Sequence, residues 1–479
     1  MADGSVDQAE ILAVDLDGTL LRSNALHESV WGLLSHNALK VPAALAAGRH
    51  GRAALKRAFA RPEALDVATL PYDPEVIAYI RAWRDRGGRT ALVTATDETI
   101  ARRIADHLGI FDEVHGSDGT TNLKGAAKAA LLSRAYGAGN YAYLGDAAAD
   151  LPAWQGAARA ITVNAAPGLR EQAAAAAPEA EHLTTRGQDW RPYLTAARPH
   201  QWLKNILIFV PAITAHRLDP GVLALSLTAF VAFALVASSV YVLNDLLDLA
   251  ADRAHPRKRT RPFASGAVPL AHGTVMAPLL LAAGLCVALA LGGQFLAVML
   301  AYYLLTLLYS LALKRQVILD VCALACLYTL RIAAGAAATG LALSVWLIAF
   351  SLFFFFALAV LKRQAELVDS ARHGKLDDVG RGYLVKDLPI LPVMALGAGY
   401  VSVLVMALYV NSPEVAALYR APAALWGICL VLLYWITRME MVTHRGGMAD
   451  DPMLYALRDR VSLVCGAAVL ALILAGAML

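Results

Sequence analysis

Charge is what this sequence lacks most. Only 17% of its 479 residues are Asp, Glu, Lys or Arg, 58% are hydrophobic, and the mean hydropathy is +0.52. That balance excludes intrinsic disorder and is too apolar for an ordinary soluble enzyme. Cysteine is scarce as well: Cys286, Cys322, Cys326, Cys429 and Cys465, with none in the first half. Such usage excludes a disulfide scaffold. With no His or further Cys beside Cys322 and Cys326, all five read as small buried hydrophobes and not as metal ligands. The net charge of +4 is small, which gives no nucleic-acid footprint. Met1 to Glu10 lacks a basic region followed by an apolar core and cleavage site, so the first domain is expected to stay in the cytoplasm.

What is present falls into two halves. Up to residue 186, short apolar strands (Ile11–Val14, Thr90–Val93, Tyr141–Leu144, Ala160–Val163) alternate with Ala-rich helical segments. That alternation predicts an α/β domain with a parallel sheet covered on both faces. Asn24 to Leu70 has no strand signal and reads as a small helical insertion. Residues 187–200 read as a linker, and 201–479 as an all-α polytopic membrane domain.

In that domain an apolar run recurs about nine times: 202–218, 221–245, 272–291, 294–313, 317–339, 343–361, 389–410, 421–437 and 461–479. Most runs have the length needed to cross a hydrocarbon core. The first is the weakest, because Pro211 interrupts it. Alternate loops are basic, among them Arg253 to Arg261, Lys314 and Arg315, Lys362 to Lys386 (with Lys375 and Arg381), and Arg438 to Arg460. By the positive-inside rule those loops are cytoplasmic, with the N-terminal domain and the active face, and the C-terminus lies outside. The expected location is a bacterial inner membrane.

The first strand ends in Asp15-Leu16-Asp17-Gly18-Thr19, so two carboxylates two residues apart point the same way. One can attack phosphorus while the other handles the proton of a leaving alcohol. Thr94, at the end of a strand, can donate to a phosphoryl oxygen, and Lys124 at a helix start can neutralise it, with Lys128 the weaker substitute. Asp146 and Asp150 in GDAAAD can hold Mg²⁺. These four motifs in this order resemble the haloacid dehalogenase (HAD) superfamily over residues 10–165. The resemblance implies a Rossmannoid sheet with a small cap. It also implies Asp15 as aspartyl-phosphate nucleophile, Asp17 as general acid/base, Thr94 and Lys124 as phosphate ligands, and Mg²⁺ held among Asp15, Asp17, Asp146 and Asp150.

The second run ends in Asn244-Asp245-Leu-Leu-Asp248-Leu-Ala-Ala-Asp252. On one helix, positions 244, 248 and 252 stack on a face with 245 beside them. Four oxygen-bearing side chains at the end of a membrane helix are costly unless a cation or a water-filled cavity meets them, and Mg²⁺ suits such a set. Arg253, Arg257, Lys258, Arg259 and Arg261 follow and can bind anionic oxygens, although positive-inside anchoring alone also accounts for a basic run.

These features resemble the UbiA superfamily of intramembrane prenyltransferases. Within it, RPHQWLKN (198–205), NDLLDLAADRAHPRKRTRPFASG (244–266), YSLALKRQVILD (309–320), LRIAAG (330–335) and LKRQAEL (361–367) are similar to the polyprenyl-phosphate 5-phosphoribosyltransferase branch. The resemblance implies Mg²⁺ on Asp245, Asp248 and Asp252, with Asn244 orienting the leaving diphosphate. Lys204, Lys258, Arg259, Arg261, Arg331, Lys362 and Arg363 are the implied phosphate ligands. Asp320 stands alone where ring-prenylating relatives usually carry a second aspartate-rich motif. Arg331, within the fifth run, is expected to meet Asp320 or a bound anion.

The implied reaction moves 5-phosphoribose from phosphoribosyl diphosphate to polyprenyl phosphate. The HAD half then removes the 5-phosphate to leave polyprenylphosphoryl-ribose for cell-envelope glycan synthesis. The alternative is transfer of a prenyl group from a prenyl diphosphate to an aromatic or other acceptor, with a separate or regulatory HAD role. A transporter predicts inverted repeats and charges along the bundle interior, and the sequence has neither. Assembly into a homo-oligomer stays open, as does the lipid's chain length.

Overall fold

The computed structural model of the chain describes residues 11–61, 65–187, 189–373, 382–448 and 451–478. The expectations placed on Met1–Glu10, Lys375 and Arg381 lie outside the described residues. There are two compact units: Met1–Arg198 with Tyr241–Leu279, and Pro199–Val240 with Leu280–Leu479. The division departs from the compositional border, because the acidic segment groups with the N-terminal half.

The first unit is built on six parallel strands: β1 (Ile11–Val14), β2 (Arg89–Asp97), β3 (Glu113–Ser117), β4 (Tyr141–Gly145), β5 (Arg159–Val163) and β6 (Glu179–Leu183). Their order is β3-β2-β1-β4-β5-β6. Side chains alternate across a strand, so Leu12 and Val14 of β1 enter one core with Leu92, Leu144 and Ile161. Ile11 and Ala13 enter the other with Val93, Tyr141, Tyr143 and Trp154. Both faces are buried, as a parallel sheet requires. The insertion after β1 is helical: Ala25–Asn37, Val41–Ala46 and Arg52–Phe59, packed around Leu33, Val41, Ala44 and Phe59.

Among the described residues, eight helices have the length and hydropathy to cross a membrane: Pro220–Leu247, Leu270–Ala290, Gly293–Leu311, Leu319–Thr339, Val345–Arg372, Ile390–Val410, Pro422–His444 and Arg460–Met478. The expected first span is not among them. Pro199–Phe209 winds as a 3₁₀-helix, and only Val210–Thr214 is α-helical. Pro211 cannot donate to a preceding turn, and His216 closes the segment at φ 53°. Leucine and valine face outward on these helices, with Leu289 65%, Leu430 71% and Val464 67% exposed, a surface suited to lipid and not to water. The cysteines need correcting: Cys429 is buried, but Cys286 and Cys326 sit exposed on these apolar helices.

Among the described residues the second unit has three cores, the smallest around Val410, Val415, Tyr419, Leu425 and Ile428. Of the two larger ones, one joins Val321, Phe355, Leu358 and Trp435, the other Phe233, Phe295, Met299 and Tyr302. Gly335 of the LRIAAG segment allows a close backbone approach, since a Cβ there would lie 2.0 Å from the carbonyl oxygen of Ile208.

Candidate active sites

The turn after β1 delivers the first acidic group. Gly18 takes φ +84°, and a Cβ there would strike the Asp146 carboxylate at 2.2 Å, so the glycine of DLDGT brings two carboxylate loops together. Asp15, Asp146 and Asp150 offer oxygen atoms within 4.8 Å of one another. Lys128 Nζ lies among them, donating to Asp15 Oδ1 at 2.8 Å, Asp150 Oδ1 at 3.1 Å and the Tyr143 hydroxyl at 2.6 Å. Tyr143 in turn donates to Asp150 at 2.8 Å. Three carboxylates face one ammonium in an oxygen-only donor set, which fits a hard divalent cation in charge and chemistry.

Burial raises the Asp15 carboxyl to about 7 despite Lys128. Burial, then Asp15 and Asp150, raises Asp146 to about 8. Burial works against the Lys128 charge, but Asp15 and Asp150 outweigh it and hold the ammonium above its ordinary range.

Two expectations change here. Lys124 is exposed, and the lysine in contact with Asp15 is Lys128, one helical turn further into the Ala126–Tyr136 helix. Asp17 stands outside the three-carboxylate set: it accepts from Ala25 N at 2.6 Å and Thr96 Oγ1 at 2.9 Å, and burial raises its pKa. The Thr94 hydroxyl is buried and accepts from Thr96 N at 3.1 Å. Sequence reasoning missed Lys56. Carried in by the helical insertion, its ammonium donates to Ala95 O at 2.5 Å and Asn122 Oδ1 at 2.8 Å, and burial lowers its pKa. Nothing in the local sequence marks it, because its placement follows from packing of the cap.

A second acidic set lies in the same unit. The helix is interrupted at Asp248, which adopts φ −97° and ψ 14° before a short helix, Leu249–Ala254. The expected continuous acidic face is therefore broken, although Asp248 N still bonds Asn244 O and Asp252 N bonds Asp248 O. Arg261 Nη1 bridges Asp245 at 3.2 Å and Asp252 at 2.6 Å, while Arg198 Nη2 reaches Asp245 at 2.5 Å. Among the described residues, Asp245, Asp248 and Asp252 do not converge as closely as the Asp15 set. Their oxygens remain suitable for magnesium, with two arginines neutralising them here. Burial raises the Asp252 pKa, and Arg261 opposes it. Lys258 and Arg259 are exposed. Arg253, by contrast, is spent on Glu28 at 2.7 Å.

In the second unit the charges pair differently from expectation. Asp320 does not meet Arg331. It accepts from Arg363 Nε at 2.5 Å and the Tyr383 hydroxyl at 2.7 Å, and Arg363 also binds Glu366 and Tyr309. Arg331 donates instead to Asn205 Oδ1, Leu327 O and the Tyr302 hydroxyl, with the rings of Tyr302 and Tyr328 at 5.0 and 5.4 Å. These neutral partners and aromatic faces hold the buried guanidinium. Lys204 and Lys362 converge on Asp451, at 2.9 and 3.2 Å. Burial works against the Asp451 charge, but Lys362 and Lys204 hold its carboxyl well below the usual range. Asp451 was not legible as a site residue. It caps a short helix through Met453 N and lines, with Lys204, a cavity of about 340 Å³ otherwise walled by residues such as Leu207, Phe350, Phe354 and Trp435.

Comparisons with known proteins divide the chain at its compositional border, not between the two compact units. The profile of haloacid dehalogenase-like hydrolases matches residues 12–155, and that of the UbiA prenyltransferase family matches residues 206–376. An "Uncharacterized protein y4nM" of Sinorhizobium fredii is 38% identical over 95% of this chain and 89% of its own length. Nodulation protein NoeC of Azorhizobium caulinodans is 40% identical over 57% of this chain and 89% of its own. Decaprenyl-phosphate phosphoribosyltransferase of Mycolicibacterium smegmatis is 33% identical over 56% of this chain and 86% of its own.

Proposed function

The chain belongs to the UbiA prenyltransferase family, as a multi-pass membrane protein with a haloacid dehalogenase-like domain ahead of its membrane half. From that premise we propose that it transfers 5-phosphoribose from phosphoribosyl diphosphate to a polyprenyl phosphate, and that the HAD domain then removes the 5-phosphate. The product, polyprenylphosphoryl-ribose, serves cell-envelope glycan synthesis from a bacterial inner membrane, with both sites on the cytoplasmic side.

One observation carries the reading above the others. Two ammonium groups, Lys204 and Lys362, converge on Asp451, and Lys204 and Asp451 line a cavity whose remaining walls are largely apolar. A lipid monophosphate matches that combination: a compact dianion for the lysines, and a chain that water accommodates poorly for the cavity. The commitment of Asp320 to Arg363 and Tyr383 also supports it over ring prenylation, for which a second carboxylate cluster would hold a prenyl diphosphate. The similarity to a decaprenyl-phosphate phosphoribosyltransferase points the same way.

In the transfer, the anomeric C–O bond to diphosphate breaks and a phosphate oxygen of the lipid forms the new one. That oxygen is already ionised, so no strong base is required. Asp245, Asp248 and Asp252 would hold magnesium, which offsets charge on the departing diphosphate. Arg198 and Arg261, now on carboxylates, are forks suited to its oxygens, and Asn244 orients it. At the other site, Asp15 attacks phosphorus as the bond to the 5-oxygen breaks, water then hydrolyses the aspartyl phosphate to free phosphate, and Lys128 holds positive charge beside the nucleophile. Asp17, its pKa raised by burial, gives a proton to the leaving 5-hydroxyl.

Membranes carrying the wild type or Asp15→Asn, supplied with polyprenyl phosphate and labelled phosphoribosyl diphosphate, test both steps by lipid mass. The wild type is expected to yield ribosyl lipid and the mutant to accumulate its 5-phosphate. A wild type that makes neither lipid removes the transfer reading, and a mutant that accumulates no phosphorylated lipid removes the second step.

A further inference from the structure

Glu28 sits in the first helix of the HAD insertion, and no step above uses it. It is 3% exposed. Its two carboxylate oxygens accept from Arg253, Oε1 from Nη2 at 2.7 Å and Oε2 from Nη1 at 2.9 Å. A third donor of that guanidinium, Nε, goes to the carbonyl of Ala264 at 2.9 Å. A buried ion pair is sustained only when further hydrogen bonds accompany it, and here both carboxylate oxygens and all three guanidinium nitrogens are engaged. The same insertion helix makes a second contact with the segment, from Trp31 Nε1 to Thr274 Oγ1 at 3.0 Å.

The position of Arg253 gives the pair its consequence. Arg253 follows Asp252 directly, and its bond to Ala264 closes the intervening stretch into a loop. Within that loop, Arg261 bridges Asp245 and Asp252. The distance between those two carboxylates therefore depends on a loop anchored by a side chain from the HAD domain. A surface anchor for lipid headgroups would leave the Arg253 guanidinium exposed, but its side chain is 6% exposed.

We propose that Glu28 is a positioning residue for the aspartate-rich site of the membrane half: through Arg253 it sets the spacing of Asp245 and Asp252, and so the affinity of that site for magnesium. The inference rests on the transfer reading for its activity readout, but not for its structural one. It also gives the fusion a physical reason, since the transferase site is then incomplete without the hydrolase domain.

The test uses the full chain in detergent with Glu28→Gln, Arg253→Gln and the double variant. Three quantities are read: the magnesium concentration that half-saturates sugar transfer, hydrolysis of p-nitrophenyl phosphate, and the rate of tryptic cleavage at the exposed run Arg257 to Arg259. Each single variant is expected to raise the half-saturating magnesium at least threefold and to speed cleavage by a similar factor. The double variant is expected to be no worse than the worse single, and hydrolysis to stay within twofold of wild type. Unchanged magnesium dependence and cleavage in Glu28→Gln overturn the proposal, as does a double variant whose effects multiply. Should Glu28→Gln fail to fold, Arg253→Gln and the charge-retaining Glu28→Asp carry the same comparison. If the wild type transfers no sugar, the functional reading is what fails, and the cleavage rates still decide whether Glu28 holds the loop.

Discussion

Lys128 Nζ lies 2.8 Å from Asp15 Oδ1, with both groups buried. This contact divides the two lysines that the sequence offers. Replacing Lys128 by Gln leaves Asp15 and Asp150 without their ammonium, a loss of about 3 kcal/mol of stability at neutral pH. It also removes the positive charge at the reacting phosphate, lowering hydrolysis by about 100-fold. Lys124→Gln, at an exposed position, is expected to stay within about threefold of wild type. Hydrolysis of p-nitrophenyl phosphate and thermal unfolding in detergent check both. Equal losses in the two variants would return the role to Lys124.

The same cluster fixes a pH dependence. Asp15 and Asp146 rise from 3.8 to about 7 and about 8 in the folded chain, so between these limits the folded state binds more protons than the unfolded one. Stability from these groups is then fully present below pH 3.8 and is lost as pH rises through 7 to 8. In a chelator, the thermal midpoint of the hydrolase domain should fall between pH 6 and pH 8.5, and saturating magnesium should flatten the slope. A midpoint that rises with pH in chelator would reverse the assigned direction.

Legibility in the sequence followed apolar pattern. The four strands with continuous apolar runs were readable. The other two, EVHGS and EAEHL, carry charged or polar residues at most positions and sit at the two edges of the sheet, where half-exposed side chains erase the signal. Asp15, Asp146 and Asp150 were readable because a strand end and a fixed spacing place them. Lys128 was readable only as the weaker choice, since which lysine turns inward depends on how its helix packs. Charge pairing across the fold was least legible. The bond between Asp320 and Arg363 joins residues 43 apart, and Glu28 meets Arg253 across 225; no local pattern records either.

Gly335 yields a prediction opposite in sign to helix propensity. Alanine normally stabilises a helix interior over glycine by up to about 1 kcal/mol. At Gly335 the new Cβ would stand 2.0 Å from the Ile208 carbonyl oxygen, so one of the two backbones must shift. Gly335→Ala is expected to cost about 1–3 kcal/mol and to lower the thermal midpoint. Gly466→Ala, whose Cβ meets nothing within 4 Å, should leave it unchanged or raised. A neutral Gly335→Ala would mean the two segments are further apart than described.

Lys204 and Lys362 share Asp451 but come from separate segments, 158 positions apart in the chain. If both bind the lipid's phosphate, each makes a charge-assisted contact worth about 1.5–3 kcal/mol. That contact is present in the bound lipid before the sugar moves, so its loss weakens ground state and transition state alike. Lys204→Ala and Lys362→Ala should each raise KM for polyprenyl phosphate by about 10-fold or more, the low end of that energy range. Turnover at saturating lipid and KM for phosphoribosyl diphosphate should hold within about threefold. Asp245→Asn, which changes the aspartate-rich site, should lower turnover instead. Steady-state kinetics with each substrate varied separates the patterns. A rise in KM for the sugar donor in the lysine variants would move their ammonium groups from the lipid to the diphosphate.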